Sequence, residues 1–245
     1  MPLYLHVSRS PTGRRLLATG RFTAYEDQRL TREDMIFTWG GDLVGMSYDL
    51  HGAKHLNKVL CYDKLQQGAR IIEAGVSLPK LYANEEEWRR DGYPDLVKKP
   101  RNGQGGRGIV LCNRSNRPGW RYENIYQLFI EKAREFRVQQ IGQYSAYIME
   151  KFRPVNGDGV CWNLDQGAEW TGMREGRVSR ASLTTIAKSA LDAIHYDFGA
   201  VDVMSDAQNH LYVLECNSRP GLGRENIMFF ANTMVRFYEN WRANR

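Results

Sequence analysis

The chain has 245 residues, 42% hydrophobic and 25% charged, with a formal net charge of +6. That composition excludes a disordered chain, the length buries a substantial core in one large or two small domains, and no apolar run approaches the ~20 residues of a membrane-crossing helix. Basic residues are scattered rather than blocked, which favours anionic small ligands such as nucleotides over nucleic acid.

Leu3–Val7 and Met35–Trp39 read as short strands, the second ended by Gly40-Gly41. Ala53–Leu60 and Lys64–Glu73 read as helices; the second carries Leu65, Ala69 and Ile72 on one side, Asp63 at its N-cap and Gly75 as its stop. Residues 1–75 are expected to form a small α/β lobe with too few strands for a full sheet. Pro79 keeps Val76–Tyr82 extended, and Glu85–Arg90 makes a short charged helix. Asp95–Lys99 is a strand that runs into the glycine-rich stretch Pro100–Gly108, and Ile109–Cys112 leaves it as another. Ile125–Glu131, Glu135–Ile141 and Tyr144–Phe152 are further strands, and residues 154–180 read as long loops. Leu183, Ile186, Ala187, Ala190, Leu191 and Ile194 mark one face of an amphipathic helix. Gly199–Met204 and Leu211–Asn217 flank a polar turn as a hairpin, and Glu225–Trp241 closes the chain as a helix. Cys61, Cys112, Cys161 and Cys216 show no metal or redox spacing, and Met1–His6 has no basic segment leading into an apolar one. A reduced, cytoplasmic protein is the expectation.

Chemistry concentrates in the hairpin. If it is symmetric about Gln208 and Asn209, Asp202 lies opposite Glu215, with Cβ atoms about 4.5–5.5 Å apart. Two carboxylates at that distance repel unless a cation joins them. Strand alternation puts Leu211, Val213, Glu215 and Asn217 on one face, adding a third hard oxygen of the kind Mg²⁺ prefers. An ordinary hairpin with a rim carboxylate is the competing reading.

Gly103-x-Gly105-x-x-Gly108 spells a dinucleotide fingerprint, but that motif needs a helix next, and Ile109–Cys112 is a strand. A glycine loop between two strands instead lets backbone N–H groups fold over phosphates. Asp197-Phe198-Gly199 spells a protein-kinase metal motif, yet the catalytic loop is missing and the lysines precede the glycine loop.

Lys99-Pro100, the glycine hairpin, the strand after it, and an Asp202 strand paired with Glu215-x-Asn217-x-x-Pro220-Gly221 together resemble the ATP-grasp superfamily over roughly residues 60–225. The resemblance implies an α+β fold in which two antiparallel-sheet subdomains clasp ATP behind a reduced α/β N-terminal lobe. It divides the chain into that lobe (1–75) and an ATP-grasp domain (76–245), with 76–127 as nucleotide lid and 128–245 as catalytic lobe. The activity it implies is ATP-dependent carboxylate–amine ligation through an acyl phosphate with release of ADP. ATP and Mg²⁺, or Mn²⁺ in its place, are the implied cofactors. By resemblance, Lys64, Lys99 and the loop glycines Gly103, Gly105, Gly106 and Gly108 hold the phosphates. Gln127, Leu128, Phe129 and Ile130 form the adenine hinge, and Glu135 holds the ribose. Asp202, Glu215 and Asn217 bind the metal, while Arg137, Arg219 and Lys99 act at the transferred phosphoryl group. The implied partners are a small-molecule or peptide carboxylate and an amine, the acceptor being anionic, with neither membrane nor nucleic acid, in a chain expected to form a homodimer. The compact layout is similar to small members from tailed-phage genomes, which implies host cytoplasm if viral. A kinase-like phosphotransferase and a nucleotide-responsive binding module are the alternatives.

Overall fold

The computed structural model describes residues 3–7, 10–26, 28–39, 52–57, 63–103, 105–154, 159–162 and 167–245. Gly40, Gly41 and Cys61 lie outside them. The first sheet is parallel, in the order β2-β1-β3-β4, with β1 Leu3–Val7, β2 Thr23–Ala24, β3 Met35–Trp39 and β4 Lys54–Leu56; helix α1 (Pro11–Leu17) follows β1. Two expectations fail here. In the segment read as the helix Ala53–Leu60, residues 54–56 form strand β4, whose Lys54, His55 and Leu56 pair with Met35, Ile36 and Phe37, and residues 58–60 lie outside the described residues. The lobe also carries four strands rather than too few for a sheet. Strands of two and three residues leave no period to read, and pairing with an established neighbour overrides weak local preference.

All five residues of β3 are buried, as a parallel sheet covered on both faces requires. Leu3, Leu5, Met35, Phe37 and Trp39 pack with Phe230, Ala231, Met234 and Tyr238 of the C-terminal helix α5 (Arg224–Ala243). Trp39 also stacks on Phe198, with ring centroids 5.8 Å apart.

Asn57, fully buried at the end of β4, ties the first sheet to the segment at Asp197 and Phe198. Its Oδ1 accepts from the N–H groups of Asp197 and Phe198 at 2.7 and 3.2 Å, its Nδ2 donates to the Phe198 carbonyl at 2.9 Å, and its own N–H donates to Asp197 Oδ2. Asn57→Ala strands the buried N–H and carbonyl of Phe198 and the part-buried N–H of Asp197, and keeps a φ of 52°, which alanine tolerates less well than asparagine. At about 1–3 kcal/mol per unsatisfied group, partly relieved by relaxation, it is expected to destabilise the protein by about 2 kcal/mol in urea titrations. An unchanged urea midpoint would show that the staple carries no stability.

Helix α2 (Lys64–Glu73) starts as expected: Asp63 accepts from the N–H groups of Leu65 and Gln66, and the Gln66 side chain completes a capping box. Helix α3 (Glu85–Arg90) precedes a three-stranded antiparallel sheet, β6-β5-β7, built from β5 Leu96–Pro100, β6 Val110–Cys112 and β7 Asn124–Leu128. Trp88, Tyr82, Leu96, Cys112 and Tyr126 form its core. The third sheet is five-stranded and antiparallel, β10-β9-β8-β11-β12. Its strands are β8 Arg134–Ile141, β9 Tyr144–Phe152, β10 Glu169–Gly172, β11 Phe198–Ser205 and β12 Leu211–Asn217. Helix α4 (Arg180–Ala193) covers one face, with Leu183, Ala187, Ala190 and Leu191 against Val201, Val203, Val213 and Cys216. The other face, left free of helix around Asp202, meets the glycine hairpin across a cleft. Strand β10 falls in the stretch read as loop; four residues on a sheet edge, with only Trp170 half-buried and the rest exposed, give no alternation to detect. The fold is the expected α+β arrangement of two antiparallel sheets facing each other.

Candidate active site

Asp202 does lie opposite Glu215, but by a different route from simple hairpin symmetry. Ser205, Met204 and Val203 pair with Leu211, Tyr212 and Val213, a register centred on Gln208 that would set Asp202 against Leu214. A bulge between Asp202 and Val203 adds one residue to β12 and restores the pairing with Glu215. The same bulge breaks the expected face. Val213 and Cys216 both turn into the α4 core, whereas Leu214 and Glu215 both line the cleft.

The cleft has an apolar and a cationic part. Val97, Ile109, Leu128, Met204 and Leu214 line an apolar slot of a kind that accepts an aromatic ring. Val97 and Lys99 are two apart on β5 and so face the cleft together; Lys98 is not among the lining residues. Among the described residues, five cations (Lys64, Lys99, Lys132, Arg137 and Lys151) and three carboxylates (Glu135, Asp202 and Glu215) line the rest, a surplus of two positive charges.

Most of these charges are already paired. Arg137 grips Asp202 in a two-pronged bond, Nε to Oδ1 at 2.7 Å and Nη2 to Oδ2 at 2.8 Å. Burial opposes the charge on Asp202, but the Arg137 guanidinium outweighs it and holds the carboxyl below its ordinary range. Lys64 Nζ lies 3.1 Å from Glu215 and donates to the Gly103 carbonyl at 2.6 Å, so it joins β12 to the glycine loop. Glu135 is buried between Lys132 Nζ at 2.6 Å and Lys151 Nζ. The indole of Trp170 lies against Arg137 and Lys151, and that of Trp162 against Lys132. Lys99 has no such direct ion pair among the described residues. It is 9% exposed, and burial lowers its pKa to about 8, with Glu215 only partly compensating. The repulsion expected between Asp202 and Glu215 is thus absent: each has a protein cation of its own. Neutralising both residues should lower, not raise, the stability of the metal-free protein.

Of the residues singled out in the sequence, Lys64, Lys99, Gly105, Gly106, Gln127, Leu128, Phe129, Ile130, Glu135, Arg137, Asp202 and Glu215 come together in this cleft. Gly103 and Gly108 stand behind it, packed so closely on the Pro100 ring that an added Cβ would come within 3.1 and 3.0 Å of it. Asn217 and the exposed Arg219 lie beyond the lining residues. Lys132, Trp162, Trp170, Met204 and Leu214 are further residues at or beside the cleft; the three-residue spacing of Lys132 from Glu135 and the two-residue spacing of Met204 from Asp202 are the signals the sequence holds for them. Among the described residues no group of three or more His, Cys, Asp and Glu side chains forms a metal site unaided. Glu215 and Asn217 still offer the hard oxygens that suit Mg²⁺, alternating toward one face of β12 about Cys216, whereas both oxygens of Asp202 already accept from Arg137.

A family model described as the ATP-grasp domain matches residues 61–222. No curated protein matches the sequence. Among solved structures, the chain is similar to D-alanine–D-alanine ligase from Bacillus anthracis (15% identity, TM-score 0.68, 100% of this chain and 99% of that chain). It is similar to the ATP-grasp ligase PsnB complexed with minimal precursor (12% identity, TM-score 0.68, 98% of each chain). It is also similar to a RimK domain protein ATP-grasp from Sphaerobacter thermophilus (14% identity, TM-score 0.60, 97% of this chain and 99% of that one). Identities this low speak for the fold; the family model, spanning most of the chain and all of the cleft's lining residues, carries the assignment: this chain belongs to the ATP-grasp family.

Proposed function

We propose that the protein is an ATP-dependent carboxylate–amine ligase that transfers the γ-phosphoryl group to a carboxylate, releases ADP, and lets an amine displace phosphate from the acyl phosphate. The observation that carries this reading is the cleft itself: apolar side chains line it together with cations that, among the described residues, outnumber the carboxylates by two. That surplus matches the charge of a nucleoside triphosphate with one divalent cation.

The base would enter the slot beside Gln127–Ile130. The N–H groups of Leu128 and Phe129 already donate to the carbonyls of Lys80 and Asp95, so base recognition would fall to nearby carbonyls and the Ile130 N–H. Glu135 would take a ribose hydroxyl while still held by its two lysines. Lys64 and Lys99 would neutralise phosphate oxygens, with Gly105 and Gly106 closing over them. Arg137, whose Nη1 donors are uncommitted among the described residues, would meet the transferred phosphoryl group. The candidate ligands of Mg²⁺ are Asp202, Glu215 and Asn217, and the bound ion would screen the β- and γ-phosphates. One related structure, of PsnB, is described as complexed with a precursor variant, Mg and ADP, which supports the same cofactor pair here. The acceptor would be a small or peptide carboxylate, anionic given the surplus of cations among the described residues.

Hydroxylamine tests the chemistry, since it intercepts an acyl phosphate as a stable hydroxamate whatever the natural amine. With Mg-ATP, hydroxylamine and a panel of amino acids, peptides and dicarboxylates, ADP and a hydroxamate are expected with at least one carboxylate. AMP as product would refute the mechanism. Tight nucleotide binding without carboxylate-dependent ADP across the panel would favour a binding module instead.

Lys99→Ala is expected to weaken ATP binding tenfold or more by calorimetry, a charge-assisted contact being worth about 1.5–3 kcal/mol. The wild-type affinity should also fall as pH rises through 8, where the buried ammonium loses its proton. Stability of the nucleotide-free protein should move the other way. The unfolded lysine titrates near 10.5, so relief of the buried charge adds stability between pH 8 and 10.5. Affinity independent of pH over that range would remove Lys99 from the phosphate site.

A further inference from the structure

We propose that the ion pair between Arg101 and Asp63 is a clip that positions Lys64 and Lys99 on the phosphates of a nucleotide, without either member of the pair touching the ligand. The proposal rests on the nucleotide reading above and adds two positioning residues to it.

The pair joins the two elements that carry the lysines. Lys64 follows Asp63 at the start of α2, and Lys99 precedes Arg101 by two residues at the end of β5. Arg101 Nη2 donates to Asp63 Oδ2 at 2.5 Å, with the two side chains 26% and 19% exposed. Two further bonds cross the same junction. The Lys64 N–H donates to the Arg101 carbonyl at 3.3 Å, and Lys64 Nζ to the Gly103 carbonyl at 2.6 Å. Both ends of the clip are held from behind. The Arg101 N–H donates to the Glu123 carbonyl at 2.9 Å, and its Nη1 to the Tyr122 carbonyl at 3.3 Å. On Asp63 the two oxygens divide the work: Oδ1 accepts from the Leu65 and Gln66 N–H groups and caps α2, while Oδ2 takes the guanidinium.

The lysines need such a clip because they repel. Both line the cleft, and after burial the charge of Lys64 helps to lower the pKa of Lys99. Two like charges stay within reach of one ligand only if the backbone behind each is fixed. A part-exposed ion pair contributes little to global stability, so what this one contributes is placement. It brings the two ammonium groups to a common site before any phosphate arrives, which lowers the cost of ordering them on binding. Neither Asp63 nor Arg101 is among the residues that line the cleft.

Asp63→Asn separates the clip from the cap, because asparagine caps a helix about as well as aspartate does but brings no charge to Arg101. Arg101→Gln removes the other half. Affinities for a non-hydrolysable ATP analogue and for AMP are measured by calorimetry on the wild type, both single variants and the double variant. Each single variant is expected to weaken the ATP analogue by about fivefold or more and AMP by less than about twofold, since Val97 in the apolar slot lies four residues, about 13 Å, from Arg101. The double variant should be no weaker than either single one, as two halves of one clip require. A loss at Arg101→Gln with none at Asp63→Asn would overturn the proposal and make Arg101 a direct phosphate contact. Equal losses for both ligands, or losses that add in the double variant, would overturn it too. If Arg101→Gln does not fold, Asp63→Asn decides alone, and an unchanged affinity for the ATP analogue sinks the clip. Wild-type protein that binds neither ligand would overturn the nucleotide reading and this proposal with it.

Discussion

Glu215→Gln is expected to lower Mg-dependent ADP release by about two orders of magnitude while the protein still folds. The substitution keeps size and shape but removes the charge of the carboxylate that lines the cleft on β12 and faces Lys64 at 3.1 Å. A divalent cation polarising the transferred group is worth several kcal/mol of barrier, and an amide oxygen holds such an ion far less well than a carboxylate. Loss of the ion pair adds a second effect. Lys64 keeps the Gly103 carbonyl but faces no charge at position 215, so the glycine loop's link to the five-stranded sheet weakens. The pair is part-exposed, so its own contribution to stability is small, and the melting temperature should shift by only a few degrees. Steady-state ADP release and a thermal melt on the same preparation separate the two effects. Normal turnover in this variant would make the hairpin a structural element and remove the metal assignment.

The largest effect on stability is expected at Glu150. Its side chain is 1% exposed, on the opposite face of β9 from Lys151 and Met149, and it accepts four hydrogen bonds. Arg134 donates through Nε and Nη2 at 2.9 and 2.7 Å, and Arg174 through its backbone N–H and Nη2 at 3.1 and 2.7 Å. These bonds outweigh the cost of burial and hold the carboxyl at about 2, against 4.5 for the free group. Because the folded value is depressed, the stabilisation is complete above pH 4.5 and disappears as pH falls through about 2. That difference corresponds to roughly 3 kcal/mol. Glu150→Gln leaves two guanidinium groups sharing one neutral acceptor. Breaking a buried pair in this way costs about 3–5 kcal/mol, and Arg174, being 58% exposed, favours the lower end of that range. Urea denaturation should show this loss at pH 7, and a flatter stability profile than wild type between pH 4.5 and 2. Parallel profiles for the two proteins would place the pH-dependent stability elsewhere. Since Arg174 lies between β10 and α4, the same variant should loosen that connection without touching the cleft.

Wherever the hydrophobic period is long and the caps are explicit, the sequence was read correctly. Helix α2, with Asp63 and Gln66 at its start, is one case, and the apolar stripe of α4 from Leu183 to Leu191 is another. The long strands β8 and β9 are legible for the same reason. Strands β2, β4 and β10 are not: two to four residues carry no periodicity, and only the neighbouring strand makes them strands. In the cleft, Lys99, the glycine loop and the Asp202–Glu215 pair are visible as motifs because they sit on contiguous segments. Trp162 and Trp170 come from separate segments with no spacing that ties them to those motifs, and Leu214 reaches the cleft beside Glu215 only through the β12 bulge.

The sequence by itself determined which residue types could do the chemistry and roughly which strands would carry them, since local pattern and motif spacing are properties of short segments. Only the tertiary structure decided how those charges are paired. Asp202 met Glu215 through a bulge that no alternation rule contains, and it met Arg137 because β8, 65 residues earlier, pairs with the other side of β11. Coulomb interaction depends on distance and burial, not on separation along the chain. Two carboxylates that read as mutually repulsive in sequence are therefore each neutralised in the folded protein, one by Arg137 and the other by Lys64.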